Sequence, residues 1–304
     1  NYTPGANPFV NYNFGNAIAN PITEKEAAKD ADTKNDTPPD REATTGNKDT
    51  HLQNTPDKEP HPTLTQNKPP QTKNSSSFTI THTNIRGTNL GKSFEENKKV
   101  RSFFNIQTDL HIIIDHHLSK QKLDIWYKKH RLTLGKYSIH GFPTKDKGIL
   151  VLLRKASGCK ISNITNNNNN DTLHFLLTLP DLTQINILAV YVPSKDNPNN
   201  FWEEVHTISN SGTAPHRIIM GDFNCTLNHQ LGSRGYKSDP HPKARKVIQS
   251  FIDNEEYIDS YRHLHPDSKA YTYRKVSGEL RGRLDYGLMS PSLIQYLKEV
   301  THTH

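Results

Sequence analysis

The chain has 304 residues, of which 32% are hydrophobic, and its mean hydropathy is −0.82. Such a low hydropathy indicates that a sizeable part of the chain packs into no core, and the sequence has no apolar run of about 18 residues that would span a membrane. Two distant cysteines, Cys159 and Cys225, exclude a disulfide framework. We therefore expect an intracellular protein, nuclear or cytoplasmic, without a membrane partner, and the sequence leaves its oligomeric state open.

Residues 1–77 are rich in Pro, Thr and Asn and have no apolar period, which predicts a disordered tail that is dispensable for folding. They contain 8 basic and 10 acidic residues, so the other 30 basic and 21 acidic residues fall in 78–304. The predicted folded domain, 78–304, is therefore basic. An excess of cations favours an anionic partner such as nucleic acid, although it also fits a merely soluble domain or a membrane-surface binder.

Two strands are predicted at the start of the folded region. The segment FTITHTNIRG from Phe78 alternates and ends near Asn84, and LHIIIDHHLS is an apolar run that ends in Asp115 and two histidines. Between them, Ser93 and Glu96 form a capping box that predicts a helix over 94–106.

Further elements are predicted in the centre of the chain. Residues 148–155 and 173–179 are expected to be consecutive strands joined by a flexible polar loop that includes the asparagine run 166–170. Residues 185–194 predict another strand, which ends at Tyr191 and Pro193. Helices are predicted over 199–208 and from Pro242 to Ile252, where apolar residues recur with helical spacing.

The segment RIIMGDFNCT contains a short apolar run that stops at Gly221 and three functional side chains. If the chain stays extended, Asp222 and Asn224 lie on one side and Phe223 points into packing. The alternative, which is the commoner outcome for such a motif alone, is a turn in which the Asp and Asn bond only their own backbone.

Polar side chains occur at or near the ends of several predicted strands, where the ligands of α/β sheets bind. Such a set of oxygen donors suits Mg²⁺, which needs only one or two carboxylates and keeps several waters. The alternative for each acid is a turn cap or an ion pair with a neighbouring base. The set consists of Asn84, Asp115, Tyr191, Asp222, Asn224 and Asp285.

In several motifs that follow one another along the sequence, the chain resembles the endonuclease/exonuclease/phosphatase superfamily with the DNase I-like fold. It is most similar to the apurinic-type endonuclease of non-LTR retrotransposons. The motifs are ITHTNIRG, DLHIIIDHHLS, AVYVPS, IMGDFNC, YIDSYRHLHPDSKAYTYRK and RLDYGLMSPSL. The resemblance implies an α/β protein, a four-layer α/β sandwich, that hydrolyses DNA phosphodiesters with Mg²⁺ or, as a substitute, Mn²⁺.

The resemblance also implies roles for the strand-end residues. Asn84 and Asp115 would lie near the metal, and Tyr191 would contact the phosphate. Asp222 and Asn224 would position the nucleophile and stabilise the transition state.

A group of aromatic and basic residues near the C-terminal end suggests contacts with nucleic acid. Tyr271 and Tyr273 are expected to stack on a base or sugar, and Arg283 with its basic neighbours to follow the phosphate backbone. The alternative is core packing for the tyrosines and a solvated basic face for the cations.

The chain departs from the family pattern at two positions. The family has Glu where this chain has Asp115, a side chain one methylene shorter. The family also has a Ser-Asp-His motif on a later strand, and the residue at the position of Asp285 would orient the histidine of that motif. This chain ends at His304 without a Ser-Asp-His motif. The domain is therefore expected to lack its last strand. His302 and His304 do not lie in such a motif, so neither is assigned the role of its histidine. His116 and His117 are expected to be surface residues rather than ligands.

Three functions remain open at this point. The first is a nuclease of the apurinic or retroelement type, truncated or inactive in this form. The second is a non-catalytic nucleic-acid-binding remnant of such a nuclease. The third is a phosphatase of the same superfamily that acts on phosphorylated lipid head groups.

Overall fold

The computed structural model describes most of the chain outside two long segments. All of the described residues belong to one compact unit formed by residues 1–21 and 76–304, and the second unit, 22–75, lies outside them. The helix predicted over 94–106 also lies outside them. Among the described residues, no helix has the length and apolar character needed to cross a membrane. The described ranges are 9–15, 77–85, 107–193, 198–212, 214–238, 241–275 and 278–303.

A first six-stranded sheet combines strands from the two ends of the chain. It contains β1 (Phe9–Phe14), β2 (Phe78–Asn84), β3 (Leu110–Ile114), β4 (Tyr137–Gly141), β5 (Ile149–Arg154) and β15 (Leu297–Thr303). Their order across the sheet is β15-β1-β2-β3-β5-β4, and β2 and β3 are its parallel pair.

A second six-stranded sheet is built from the middle and late parts of the chain. It contains β6 (Lys160–Asn166), β7 (Thr172–Thr178), β8 (Gln184–Tyr191), β9 (His216–Asp222), β11 (Ile258–Asp259) and β14 (Asp285–Met289). The order is β11-β14-β9-β8-β7-β6, and β8 and β9 run parallel. A small third sheet joins β10 (Ser233–Arg234), β13 (Arg281–Gly282) and β12 (Tyr273–Arg274) in that order.

Helices cover the outer faces of the two large sheets. The helix α5 (Pro242–Asn254) begins at a proline, whose absent N–H costs no hydrogen bond there, and it buries Ile248, Phe251 and Ile252. The helix predicted over 199–208 is confirmed by α3 (Pro198–Asn210). The helices are α1 (Lys120–Lys129), α2 (Arg131–Leu134), α3 (Pro198–Asn210), α4 (His229–Gly232), α5 (Pro242–Asn254), α6 (Ser260–Leu264) and α7 (Pro291–Ile294).

Three apolar clusters hold the layers together. The largest contains buried residues of both large sheets, among them Phe14, Ile112 and Met220. A second cluster joins the second sheet to α3 and α5 through Trp202 and its neighbours, and a third joins the first sheet to α1 and α2 through Trp126. The order of layers is helix, sheet, sheet, helix, so the predicted four-layer α/β sandwich is confirmed.

The prediction that residues 1–77 form only a disordered tail is wrong for 9–14. These residues are β1, which pairs antiparallel with β2 on one side and β15 on the other. Phe14 is fully buried, and a Cβ at Gly287 of β14 would lie 2.6 Å from the hydroxyl oxygen of Tyr12. The N-terminal strand is thus part of the central core. The rest of the predicted tail lies outside the described residues.

Two further expectations need correction. The strands predicted at 148–155 and 173–179 are not consecutive, because the polar strand β6 lies between them in sequence, and they belong to different sheets. The asparagine run was expected to be flexible, but Asn167 is buried and its side-chain oxygen accepts hydrogen bonds from the N–H groups of Asp171 and Thr172. The run therefore forms an ordered turn between β6 and β7.

Candidate active site

The predicted strand-end residues meet at one rim of the molecule because of the strand directions. In the parallel pair of the first sheet, Asn84 lies opposite Ile114, the residue before Asp115. In the second sheet, Tyr191 lies opposite Asp222, and Asp285 begins an antiparallel strand on the other side of Asp222. This register agrees with the prediction that side chains from several strands meet at one edge.

A hydrogen bond connects the two sheets at this rim. The side-chain nitrogen of Asn84 donates to one carboxylate oxygen of Asp222 at 2.7 Å, and both side chains are buried. The other oxygen of Asp222 accepts the backbone N–H of Asn224 at 2.8 Å. The hydrogen bond expected for a local turn, from the Asn224 N–H to Asp222, is therefore present. Because Asp222 also accepts a hydrogen bond from Asn84 of the other sheet, its carboxylate is held from two directions.

The backbone at the end of β9 adopts conformations that few residues tolerate. Gly221 has φ +144°, and a Cβ there would lie 2.0 Å from the carbonyl oxygen of Val190. Asn224 has φ +46° and its side-chain nitrogen donates to the Val192 carbonyl at 2.7 Å. Phe223 is buried against Trp202, as predicted. Strained positions of this kind persist only where the surrounding structure holds them, and they are frequent at functional sites.

Asp115 lies in a second strained segment, directly after β3. Its φ is +59° and that of His117 is +52°. The His117 ring nitrogen Nε2 lies 2.8 Å from a carboxylate oxygen of Asp115. His117 is partly exposed, as expected, but His116 is buried, and its Nδ1 accepts the Leu118 N–H. Burial lowers the pKa of His116 to about 4, so the expectation of a surface residue is wrong for His116.

The donor atoms at the rim fit a hard divalent cation. Asn84 uses its side-chain nitrogen for the bond to Asp222, so its side-chain oxygen is the atom suited to a metal. Asp115 directly follows the neighbouring strand. Mg²⁺ binds through one or two carboxylates plus waters. The described ranges contain no cluster of three or more His, Cys, Asp and Glu side chains arranged to hold a metal.

Tyr191 and a lysine that the sequence did not indicate lie together at the same rim. The Lys147 ammonium is 5.9 Å from the centre of the Tyr191 ring and 3.7 Å from a carboxylate oxygen of Asp171. The Tyr191 N–H donates to the carbonyl of Asp171 at 2.8 Å. Lys147 belongs to a loop without periodicity, so no sequence pattern could have placed it here.

His82 is a second residue that sequence analysis missed. It precedes Asn84 by two residues in β2, so the alternation of side chains puts both on one face. Its Nε2 lies 3.8 Å from an oxygen of Asp285, and its ring stacks on Tyr12 of β1. The ring is fully buried, which lowers its pKa to about 3, and His82 is therefore neutral in the fold.

The two tyrosines near the C-terminal end flank a residue that is hydrogen-bonded to the start of β14. Thr272 stands between them, and its hydroxyl oxygen accepts the backbone N–H groups of Leu284 and Asp285. Tyr271 and Tyr273 are both partly exposed, and the guanidinium of Arg281 is 5.9 Å from the centre of the Tyr271 ring.

The prediction that Arg283 contacts substrate is wrong for this structure. Its side chain is 1% exposed and forms a two-nitrogen ion pair with Asp259. Its guanidinium carbon lies 4.3 Å from the centre of the Tyr286 ring and 5.3 Å from that of Tyr261. Arg283 is a buried structural cation. His302, which was not assigned a site role, stacks on the same Tyr261 ring at 4.5 Å.

Several solved structures share this fold. The AP endonuclease of Leishmania major superposes with a TM-score of 0.56 at 18% identity, over 70% of this chain and 79% of that one. For the catalytic domain of Xenopus laevis APE2 the values are 0.52, 16%, 70% and 82%, and for the 3′-5′ exonuclease of Neisseria meningitidis 0.51, 16%, 66% and 84%. No protein-family model matches the chain. Because the identities are only 16–18%, the similarity concerns the fold alone, and it confirms the predicted DNase I-like fold.

Proposed function

We propose that the chain is a divalent-metal-dependent phosphodiester hydrolase that acts on DNA. The observation that carries the proposal is the bond from Asn84 to Asp222, which joins the two sheets at a rim where Asp115 and Asp285 also lie. Four polar side chains from four strand ends are buried there together. Burying several carboxylates is costly unless they are paired or bind a cation, so the arrangement favours a functional site.

The residues of the rim match the requirements of phosphodiester hydrolysis, which depends on positioning and on charge neutralisation. Asp222, fixed by Asn84 and by the Asn224 N–H, is placed to orient a water and accept its proton at a carboxylate oxygen. The second N–H of the Asn224 side-chain amide, whose other N–H donates to the Val192 carbonyl, and the Tyr191 hydroxyl supply donors for phosphate oxygens. Asn84 and Asp115 would hold Mg²⁺ or Mn²⁺, which supplies positive charge for the phosphate when bound.

Two observations support DNA as the substrate. Residues 78–304 carry 30 basic and 21 acidic side chains, which favours a polyanion. The proteins of the same fold in Leishmania major and Neisseria meningitidis are an AP endonuclease and a 3′-5′ exonuclease.

Nicking of supercoiled plasmid in Mg²⁺ or Mn²⁺ tests the proposal. We expect an Asp222→Asn variant to lose at least about two orders of magnitude in nicking rate, because it removes a proton acceptor and keeps the size of the side chain. Asp267→Asn, an exposed acid with the same change of charge, serves as the matched control and should nick like the unchanged protein.

The outcomes separate the three functions. Nicking that Asp222→Asn leaves intact contradicts the assigned role of the rim. DNA binding without nicking in either metal indicates the non-catalytic remnant, and release of phosphate from a soluble lipid head group without DNA binding indicates the phosphatase.

A further inference from the structure

Lys147 is a partly exposed cation beside a group of buried acids. Its side chain is 39% exposed, and its ammonium lies 3.7 Å from a carboxylate oxygen of Asp171 and 5.9 Å from the centre of the Tyr191 ring. Asp115 and Asp222 are buried at the same rim. A phosphodiester that approaches these acids is repelled by them, and a cation at the entrance of the site reduces that repulsion.

The carboxylate of Asp171, which lies beside the Lys147 ammonium, is itself held by Asn167. Its carboxylate is buried, and one oxygen accepts a hydrogen bond from the side-chain nitrogen of Asn167 at 2.5 Å. The Asn167 oxygen in turn accepts the Asp171 N–H at 3.1 Å. The second carboxylate oxygen of Asp171 is the one that faces Lys147. The ordered asparagine turn therefore acts as the support for this ion pair.

The backbone of Lys147 is tied to the segment that carries Asp115. Its carbonyl accepts the His117 N–H at 2.9 Å, and the next carbonyl, of Gly148, accepts the His116 N–H at 3.3 Å. Lys147 has φ +55°, a conformation that a lysine adopts only under constraint from its surroundings. The loop is thus fixed relative to the acid that would bind the metal.

The distance of 3.7 Å from the ammonium to Asp171 is longer than a direct hydrogen bond. An ammonium has three donors, and a partner at this distance leaves it able to bind a second anion. Asp171 thus holds the cation in place without enclosing it.

We propose that Lys147 is a substrate-binding residue that contacts a phosphate oxygen of the DNA backbone next to the bond that is cleaved, with Asp171 as its positioning residue. The inference rests on the proposed function, since it assumes a DNA backbone at this rim. It adds a contact that the strand-end motifs do not contain.

The test is the salt dependence of DNA binding, measured by fluorescence anisotropy with a short duplex in EDTA, so that metal-dependent cleavage is prevented. Each phosphate contact by a cation contributes about one unit to the slope of log K against log salt concentration. We expect Lys147→Ala to reduce this slope by about one unit and Lys147→Arg, which keeps the charge, to restore it.

Lys160 provides the matched control. It is an exposed lysine that lies opposite Thr178, at the other end of the second sheet from Tyr191. Lys160→Ala should leave the slope unchanged. If Lys147→Ala and Lys160→Ala have the same slope while the unchanged protein binds with a steep one, the inference is wrong and the proposed function stands. Binding by the unchanged protein that does not respond to salt would overturn both.

Discussion

Replacement of Asp259 by Asn should destabilise the protein strongly, because it leaves the buried cation of Arg283 without its counter-charge. Asp259 pairs with both terminal nitrogens of the guanidinium, and Arg283 is 1% exposed. The same carboxylate caps α6 by accepting the N–H groups of Tyr261 and Arg262. An asparagine keeps an oxygen for the cap, so the variant changes the ion pair and spares the helix start.

The expected magnitude follows from these contacts. Removing one partner of a buried ion pair costs about 3–5 kcal/mol, a large share of a total stability of about 5–15 kcal/mol. Each kcal/mol lowers the melting temperature of a domain of this size by about 2–4 °C, so we expect a decrease of about 6–20 °C. Asp259→Ala also removes the cap and should cost about 1 kcal/mol more.

Urea denaturation and thermal melting measure the effect, with Asp267→Asn as the control. Asp267 is an exposed acid close to α6 in sequence, so its variant makes the same change of charge without touching the pair. If Asp259→Asn unfolds within about 0.5 kcal/mol of this control, the usual range for a surface substitution, Arg283 is not a buried structural cation and its predicted contact with substrate would have to be reconsidered.

Two further predictions concern β1 and the buried histidine behind the rim. Phe14→Ala should lower the free energy of unfolding by about 3–5 kcal/mol in urea titrations, because Phe14 is fully buried between the sheets; a loss below about 1 kcal/mol would show that the N-terminal strand is dispensable after all. His82 has a pKa lowered by burial from 6.5 to about 3, so the unfolded chain binds a proton below pH 6.5 that the folded chain does not. Stability should therefore fall as the pH decreases from 6.5 towards 3, by up to about 1.4 kcal/mol per pH unit. His82→Gln should show a smaller decline in urea titrations at pH 7 and 5, and equal declines would contradict the assignment.

The elements that the sequence predicted correctly are those whose pattern is local. The apolar runs before Asp115, Tyr191 and Asp222 are strands buried on both faces, and such runs carry a strong signal regardless of their partners. The helix from Pro242 shows its buried face through helical spacing alone. Because strands of this kind end in polar residues, the candidate site could be proposed as a set before any contact was known.

The strands that were missed lie mainly at the edges of the sheets. β6 is a polar, mostly exposed edge strand without regular alternation, and β4 is a half-buried edge strand of five residues, so neither carries a strong sequence signal. β1 lies in a segment whose neighbours are rich in Asn and Pro, and its residues pair with residues of β2 and β15 that are 64–72 and 283–294 positions away in sequence. Only the completed sheet shows why its apolar residues are needed.

Tertiary structure alone decided the roles of individual charges. The sequence placed Arg283 among the basic residues of a binding face, but the fold buries it against Asp259, and no local pattern distinguishes a buried cation from an exposed one. Lys147 and Asp171 are 24 residues apart in sequence and belong to loops without periodicity, yet they meet beside Tyr191. Sequence determined which chemical groups the rim contains, because strand ends are local features. The three-dimensional pairing of distant loops decided which cations stand beside them.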